Sequence, residues 1–240
     1  MQAQHSALSR SCLLAHGAAG LGMLLMLGAL PPGTAAAGEP VAVIEQVAAP
    51  STGLQFMDFV EVGRLIKLRS GESLTLGYFG SCIQETITGG SVQIGTSQSN
   101  VEGGDVARQQ VECDGGRLQL DVSSNETSGV LILRSVNPEE PSADAAGDGL
   151  PAPQLVLFHT QPIVGISTPN SLLRIERLDV DEPRLEIRIE SRYLDFAAAG
   201  KELAPGGLYR AEAVGHSVVF RIDPGAAAGG GSVIGRLIYL

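Results

Sequence analysis

Leu185-Glu186-Ile187-Arg188-Ile189-Glu190 alternates apolar and charged side chains without a break. A period of two is what a half-buried strand requires, because successive side chains point to opposite faces of a sheet. Working outward, residues 179–183 read as a turn leading back to a second strand, Leu172-Leu173-Arg174-Ile175. Residues 208–214 and 217–222 read as a hairpin around Gly215-His216, Leu155-Val156-Leu157-Phe158 as an apolar strand, and residues 233–240 as a closing strand that pairs into the sheet. The same texture fills the earlier part of the chain. Strands are expected at 41–44, 65–68, 73–78, 83–87, 91–94, 106–111, 117–122 and 130–133, separated by Ser70-Gly71, Gly89-Gly90, Gly95 and Gly103-Gly104. Residues 53–59 fit either a strand or a short helical turn. Short strands with turn residues every 8–12 positions, and no long helical periodicity, define an all-β protein of sandwich or barrel type.

The first 37 residues have a different character. Arg10 is their one charge, an apolar stretch centres on residues 21–27, and Pro31-Pro32-Gly33 precedes Ala35-Ala36-Ala37. This is the layout of a secretory signal peptide with an A-x-A cleavage site, and it places the mature start near Gly38. Cys12 precedes the apolar stretch and no Cys ends it, which argues against lipidation. Retention of the segment as an anchor stays open. No later stretch approaches the length of a membrane span, so no span is expected after signal cleavage. The expected localisation is periplasmic or secreted.

Cleavage removes one Arg and no acid, taking the formal net charge from −10 to −11. An acidic chain without clustered Lys and Arg is a poor match for nucleic acid or anionic lipid. Of three cysteines, Cys82 and Cys113 remain. In an oxidising compartment an isolated pair is most simply one disulfide, and the spacing is not that of a C-x-x-C redox motif.

Residues 136–153 hold four prolines and four acids among small residues and cannot bury a core. They read as an acidic, Pro-rich linker between two small β modules, 38–135 and 154–240. The sequence does not fix how the modules sit together, nor the oligomeric state.

In the second module, Leu203-Ala204-Pro205-Gly206-Gly207-Leu208-Tyr209 resembles the L-x-P-G-x-x-Y corner of immunoglobulin-like and fibronectin type III sandwiches. The resemblance implies a structural role: Pro205-Gly206 supplies the turn, and the Tyr209 hydroxyl folds back onto nearby backbone. In the first module, Val60-Glu61-Val62-Gly63-Arg64-Leu65-Ile66 followed by Gly71-Glu72-Ser73-Leu74-Thr75-Leu76-Gly77 resembles the V-x-x-G-x-x-I opening of FecR-type extracytoplasmic domains. That likeness implies an envelope context and an interaction module. The sequence departs from it at the usual D-G-S step and adds two cysteines. Residues 77–92 and 113–116 are also similar to secreted proteins of proteobacteria, a likeness that carries no function.

Chemistry-bearing patterns are few. Beyond the signal segment the histidines are His159, ending an apolar run, and His216, in a hairpin turn. No G-x-S-x-G, H-E-x-x-H or Walker pattern occurs. Glu85, Glu112 and Asp114 near the cysteines, and Asp179, Asp181 and Glu182 in one turn, invite a cation but read more simply as solvated acids. The tract 225–231 reads as a flexible connection. With 4% aromatic residues and no Trp, sugar-binding platforms are scarce. No catalytic residue, metal or cofactor is indicated. The reading is an exported non-enzymatic envelope protein that binds or scaffolds another protein. The alternatives are an extracytoplasmic sensor or ligand-binding module of a signalling system and, third, an unrecognised hydrolase.

Overall fold

The computed structural model describes residues 39–114, 119–121, 132–134, 149–229 and 231–240. The expected signal segment, and the expected linker up to Asp148, lie outside the described residues. The strands, in chain order, are β1 Pro40–Ala48, β2 Phe59–Glu61, β3 Leu65–Tyr78, β4 Ile83–Gln93, β5 Asn100–Glu102, β6 Asp105–Gln110, β7 Gln119–Asp121, β8 Ile132–Arg134 and β9 Leu155–His159. Then follow β10 Ile163–Gly165, β11 Ser171–Arg177, β12 Leu185–Ile189, β13 Tyr193–Asp195, β14 Leu208–Ala213, β15 His216–Ala227 and β16 Leu237–Tyr239. The protein is all-β, of sandwich type.

The N-terminal sheet runs β2-β1-β3-β4-β5, with β6 also on β4. Two of its strands are longer than the sequence suggests. The segments 65–68 and 73–78 fuse into β3, and 83–87 and 91–94 into β4. The intervening glycines do not end the strands. They mark a register shift between Leu68 and Ser73, opposite Gly90 and Thr88, where both strands bend together. A Cβ on Gly104 would lie 2.1 Å from the Gly89 carbonyl oxygen, and one on Gly90 would lie 2.6 Å from that of Glu102. These glycines are therefore points of close backbone approach rather than chain reversals.

The C-terminal part has a five-stranded sheet, β12-β11-β14-β15-β9, and a three-stranded one, β13-β10-β16. The final segment does not run as one strand. Val233–Gly235 is a single 3₁₀ turn, and only Leu237–Tyr239 joins a sheet, parallel to β10. Tyr209 is the second residue of β14 and its hydroxyl accepts the Ala204 N–H at 2.9 Å. Its ring stacks on Phe220 at 5.5 Å, and Gly207 leaves room for it, since a Cβ there would lie 2.5 Å from the ring. Gly206 follows Pro205 with φ at +76°, a conformation glycine adopts freely.

Two cores hold these layers. One lies within the N-terminal sheet and includes Ala42, Ile44, Leu74, Leu76, Tyr78 and Ile87. The other joins Val43, Met57 and Phe79 to Leu157, Ile163, Leu173, Phe196, Phe220, Ile234 and Ile238. Both faces of β1 are therefore buried over residues 42–45, and the described residues form a single compact unit. At the seam Phe56 meets Tyr193 edge-on at 5.0 Å and Phe59 meets Tyr239 at 5.3 Å.

Cys82 and Cys113 are joined, with Cα atoms 5.6 Å apart. The bridge ties the end of the β3–β4 turn to the segment after β6, closing a loop of separation 31. The chain-entropy account gives about 3–4 kcal/mol for such a loop. Replacing both cysteines by Ser is expected to lower unfolding free energy by up to about that amount, and the wild type should melt lower in reductant; equal melting with and without reductant contradicts the bridge. Tyr209→Phe removes one hydrogen bond while keeping the ring, and should cost about 1 kcal/mol in chemical denaturation.

Candidate functional site

Glu45 is an acid directly following an apolar run on β1, and it is buried, at 5% exposure. The pairing of β1 with β3 shifts register between Ile44 and Gln46, so Glu45 is the extra residue of a bulge. Bulges re-aim side chains. Here the carboxylate turns toward the C-terminal segment, where it accepts Ser232 Oγ–H at 2.5 Å and the Ile234 N–H at 3.3 Å. It also accepts a hydrogen bond from Gln84 Nε2, whose Oε1 in turn accepts one from Gln109. Gly77 makes this possible, since a Cβ there would lie 2.2 Å from Glu45 Oε1 and 2.8 Å from Ile234.

These groups line a polar cleft of about 650 Å³ at the seam of the two sheet systems. Phe56, Glu112, His159, Asp195 and Arg236 also line it. Arg236 is buried and donates from Nη1 and Nη2 to the two Asp195 oxygens at 2.8 and 3.2 Å, and from Nη1 to the Gln161 carbonyl at 3.0 Å. A buried arginine forked onto a carboxylate is neutralised locally. Glu45, in contrast, has only uncharged donors among the described residues. Among the described residues no cation pairs with the carboxylates of Glu45 and Glu112 that line the cleft.

His159 stands in the same wall. Burial holds its imidazole below the ordinary value of 6.5, the nearby Arg236 guanidinium adds to this, and Glu112 and a hydrogen bond to the Ala227 backbone act the other way. A Cβ on Gly231 would lie 2.0 Å from His159 Nε2, and one on Gly235 would lie 2.4 Å from the Glu112 carbonyl oxygen. The end of the glycine-rich tract read as a flexible connection is thus a fitted surface beneath the histidine.

The acids near the disulfide do not converge. Glu85 is fully buried, paired with Arg108 Nε at 2.6 Å, and accepts the Ser99 N–H. Beside it the Tyr78 hydroxyl sits 2.7 Å from Ser99 Oγ, and burial pushes its pKa up to about 12. Glu112 belongs to the cleft, and Asp114 Oδ2 accepts the Val156 N–H at 2.9 Å. In the other turn Arg177 holds Asp179 and Glu182, both at 2.9 Å. Among the described residues no group of three or more His, Cys, Asp or Glu is placed to hold a metal. His216 begins β15, away from the residues that line the cleft.

Sequence reading missed Glu45, Gln84, Asp195, Ser232 and Arg236. The usable signal was a charge inside an apolar segment, at Glu45 after Val41-Ala42-Val43-Ile44 and at Arg236 within residues 233–240. Buried charges of this kind need dedicated partners. No family model matches the chain, and neither curated proteins nor solved structures return a match. The likenesses to FecR-type and immunoglobulin-like domains rest on the quoted residues alone.

Because the folded state favours neutral His159, the unfolded chain binds a proton first as pH falls. Its contribution to stability is complete above about 6.5 and declines as pH drops toward the lowered folded value. Thermal melting from pH 7.5 downward should show this decline in the wild type and a flatter profile in His159→Gln.

Proposed function

We propose that this protein is an exported, non-catalytic binding protein whose ligand site is the seam cleft. Of the two binding roles expected from the sequence, this reading favours the ligand-binding module over the protein scaffold. The observation that carries it is the Glu45 carboxylate. It is buried, aimed by a bulge, held by Ser232, Gln84 and the Ile234 amide, and has no cation among the described residues. Buried carboxylates are ordinarily matched by a cation, whereas Glu45 is held by neutral donors at the wall of an open cleft. A concave, pre-formed pocket with a few convergent polar groups is where small ligands bind.

The lining points to the ligand's chemistry. Glu45, Glu112 and the amide oxygens of the cleft accept hydrogen bonds, and Arg236 is already occupied by Asp195. A donor-rich ligand fits this surface: a protonated amine or a small polyol. The non-catalytic part of the reading is supported by the hydrogen bonds made. Ser232 Oγ donates to Glu45 and Asp195 holds Arg236, so neither is engaged with His159 as a nucleophile–base–orienter chain requires. Export is supported by the Cys82–Cys113 bridge, a bond that persists in oxidising compartments.

The test is a two-dimensional NMR titration with a panel of protonated amines and monosaccharides. Binding should move the side-chain amide signals of Gln84 and Gln109 and the backbone signals of Gly231 and Ser232. Glu45→Gln keeps the shape and removes the charge, and should weaken an amine ligand by about tenfold or more. A panel that leaves these signals in place, or a hydrolytic activity lost in Glu45→Gln or Glu112→Gln, overturns the reading.

A further inference from the structure

We infer that the open edge of β12 is a self-association surface, joining a second copy of this chain in one antiparallel register. This goes beyond the ligand site and does not depend on it. Strand β12 ends its sheet, and among the described residues nothing pairs with its outer edge. The edge is short, five residues, and carries charge on its solvent face, but it lacks a bulge, a proline within the strand and an inward-pointing charge. Its ladder with β11 is regular from Ser171–Ile189 to Ile175–Leu185 with no bulge, and no proline interrupts it. No charge points inward, because Leu185 and Ile187 are half-buried, Ile189 is buried, and Glu186 and Arg188 face solvent. An open edge without bulge, internal proline or inward charge is a template for strand addition, and its surface charges then decide which strand can add.

The partner is specified by charge. The segment reads Arg184-Leu185-Glu186-Ile187-Arg188-Ile189-Glu190. Two copies laid antiparallel about Ile187 place Arg184 opposite Glu190, Leu185 opposite Ile189 and Glu186 opposite Arg188, each twice, with Ile187 opposite itself. Every charged side chain meets its opposite and every apolar one meets an apolar one. Sliding by two residues either way sets arginine against arginine and glutamate against glutamate. Sliding by one sets charges against apolar side chains. Opposite charges directly across a strand pair stabilise it and like charges destabilise it; a slide of four restores opposite charges but pairs only three residues of each copy, so the register centred on Ile187 is the one that matches the whole segment.

The existing sheet already points outward in this pattern. Glu212 on β14 lies opposite Arg174 on β11, and Arg174 lies opposite Glu186 at an Nε–Oε1 distance of 3.2 Å. Glu186 is the last member of the row, and Arg188 of a second copy continues the alternation of sign. Arg188 has no carboxylate partner among the described residues; its hydrogen bond goes to the Asn170 carbonyl at 3.2 Å. Pairing merges two five-stranded sheets into one of ten strands and covers the half-exposed faces of Leu185 and Ile187.

The test is sedimentation velocity on the purified protein from about 1 µM to about 500 µM at low salt, where surface ion pairs are least screened. The wild type should dimerise, and less so as salt is raised. Glu186→Arg alone and Arg188→Glu alone each place like charges across the strand pair and should raise the dissociation constant by about tenfold or more. Mixed together, these two single variants are complementary and should form a heterodimer. The double variant E186R/R188E should regain a dissociation constant within about threefold of the wild type. Circular dichroism on each variant establishes that it is folded; if a ladder variant is not, Arg184→Glu, Glu190→Arg and their combination, outside the strand, apply the same logic. A wild type that stays monomeric throughout, or a dimer indifferent to the single reversals and their mixture, overturns the proposal.

Discussion

Strand β1 has to satisfy two cores at once, and the architecture follows from that constraint. Ala42 and Ile44 face the N-terminal core, and Val43 faces the shared one. A strand buried on one face tolerates polar residues on the other, but β1 has no free face over these positions. Burying an aliphatic side chain contributes roughly 1.5–3 kcal/mol. Val43, Met57 and Phe79 therefore tie the N-terminal sheet to the C-terminal layers strongly enough to fix their relation. The aromatic residues are concentrated there too. The chain has six Phe, four Tyr and no Trp, and Phe56, Phe59, Phe79, Tyr193 and Tyr239 all stand at this seam. The scarcity of aromatic platforms elsewhere is in part a consequence of that use.

Glycine makes the seam close enough to work. Gly77, Gly231 and Gly235 leave space for Glu45 with Ile234, for the His159 ring, and for the Glu112 backbone. A methyl group at any of them would force the two layers apart or displace a polar group lining the cleft. The glycine content that makes this sequence look loosely structured thus includes residues at its most tightly fitted positions. The same holds for Gly90 and Gly104, where three strands approach one another.

The fold class was legible because period-two alternation survives in strands with one wet face, such as β12 and the first residues of β3. Element boundaries were less legible where glycine marks a bulge, because a bulge and a turn demand the same backbone freedom. That is why β3 and β4 were each read as two segments. Strand β10 gave no signal, since Ile163, Val164 and Gly165 are all buried and three residues are too few to show a pattern. The cleft was illegible for a different reason. Its groups come mainly from β1, β4, β6, β9, β13 and the 3₁₀ turn, and nothing local relates Glu45 to Ile234, 189 positions away. Tyr209 was legible because a corner is local: its partner Ala204 is five residues away.

Three carboxylates are buried in the N-terminal sheet, and the chain treats each differently. Glu85 is matched by Arg108 and the Ser99 amide, a closed set that anchors the loop before β5. Glu72 accepts the Arg69 amide together with the Ser51 amide and hydroxyl, which hold its carboxyl below the usual range and pin the β3 bend to the end of β1. Both arrangements are explained by the folding of the segments they join. Glu45 also joins segments, but with neutral donors and at the wall of an open cleft. Structural need accounts for Glu72 and Glu85; Glu45 also satisfies the Ser232, Gln84 and Ile234 donors, and it differs from the other two in lining an open cleft.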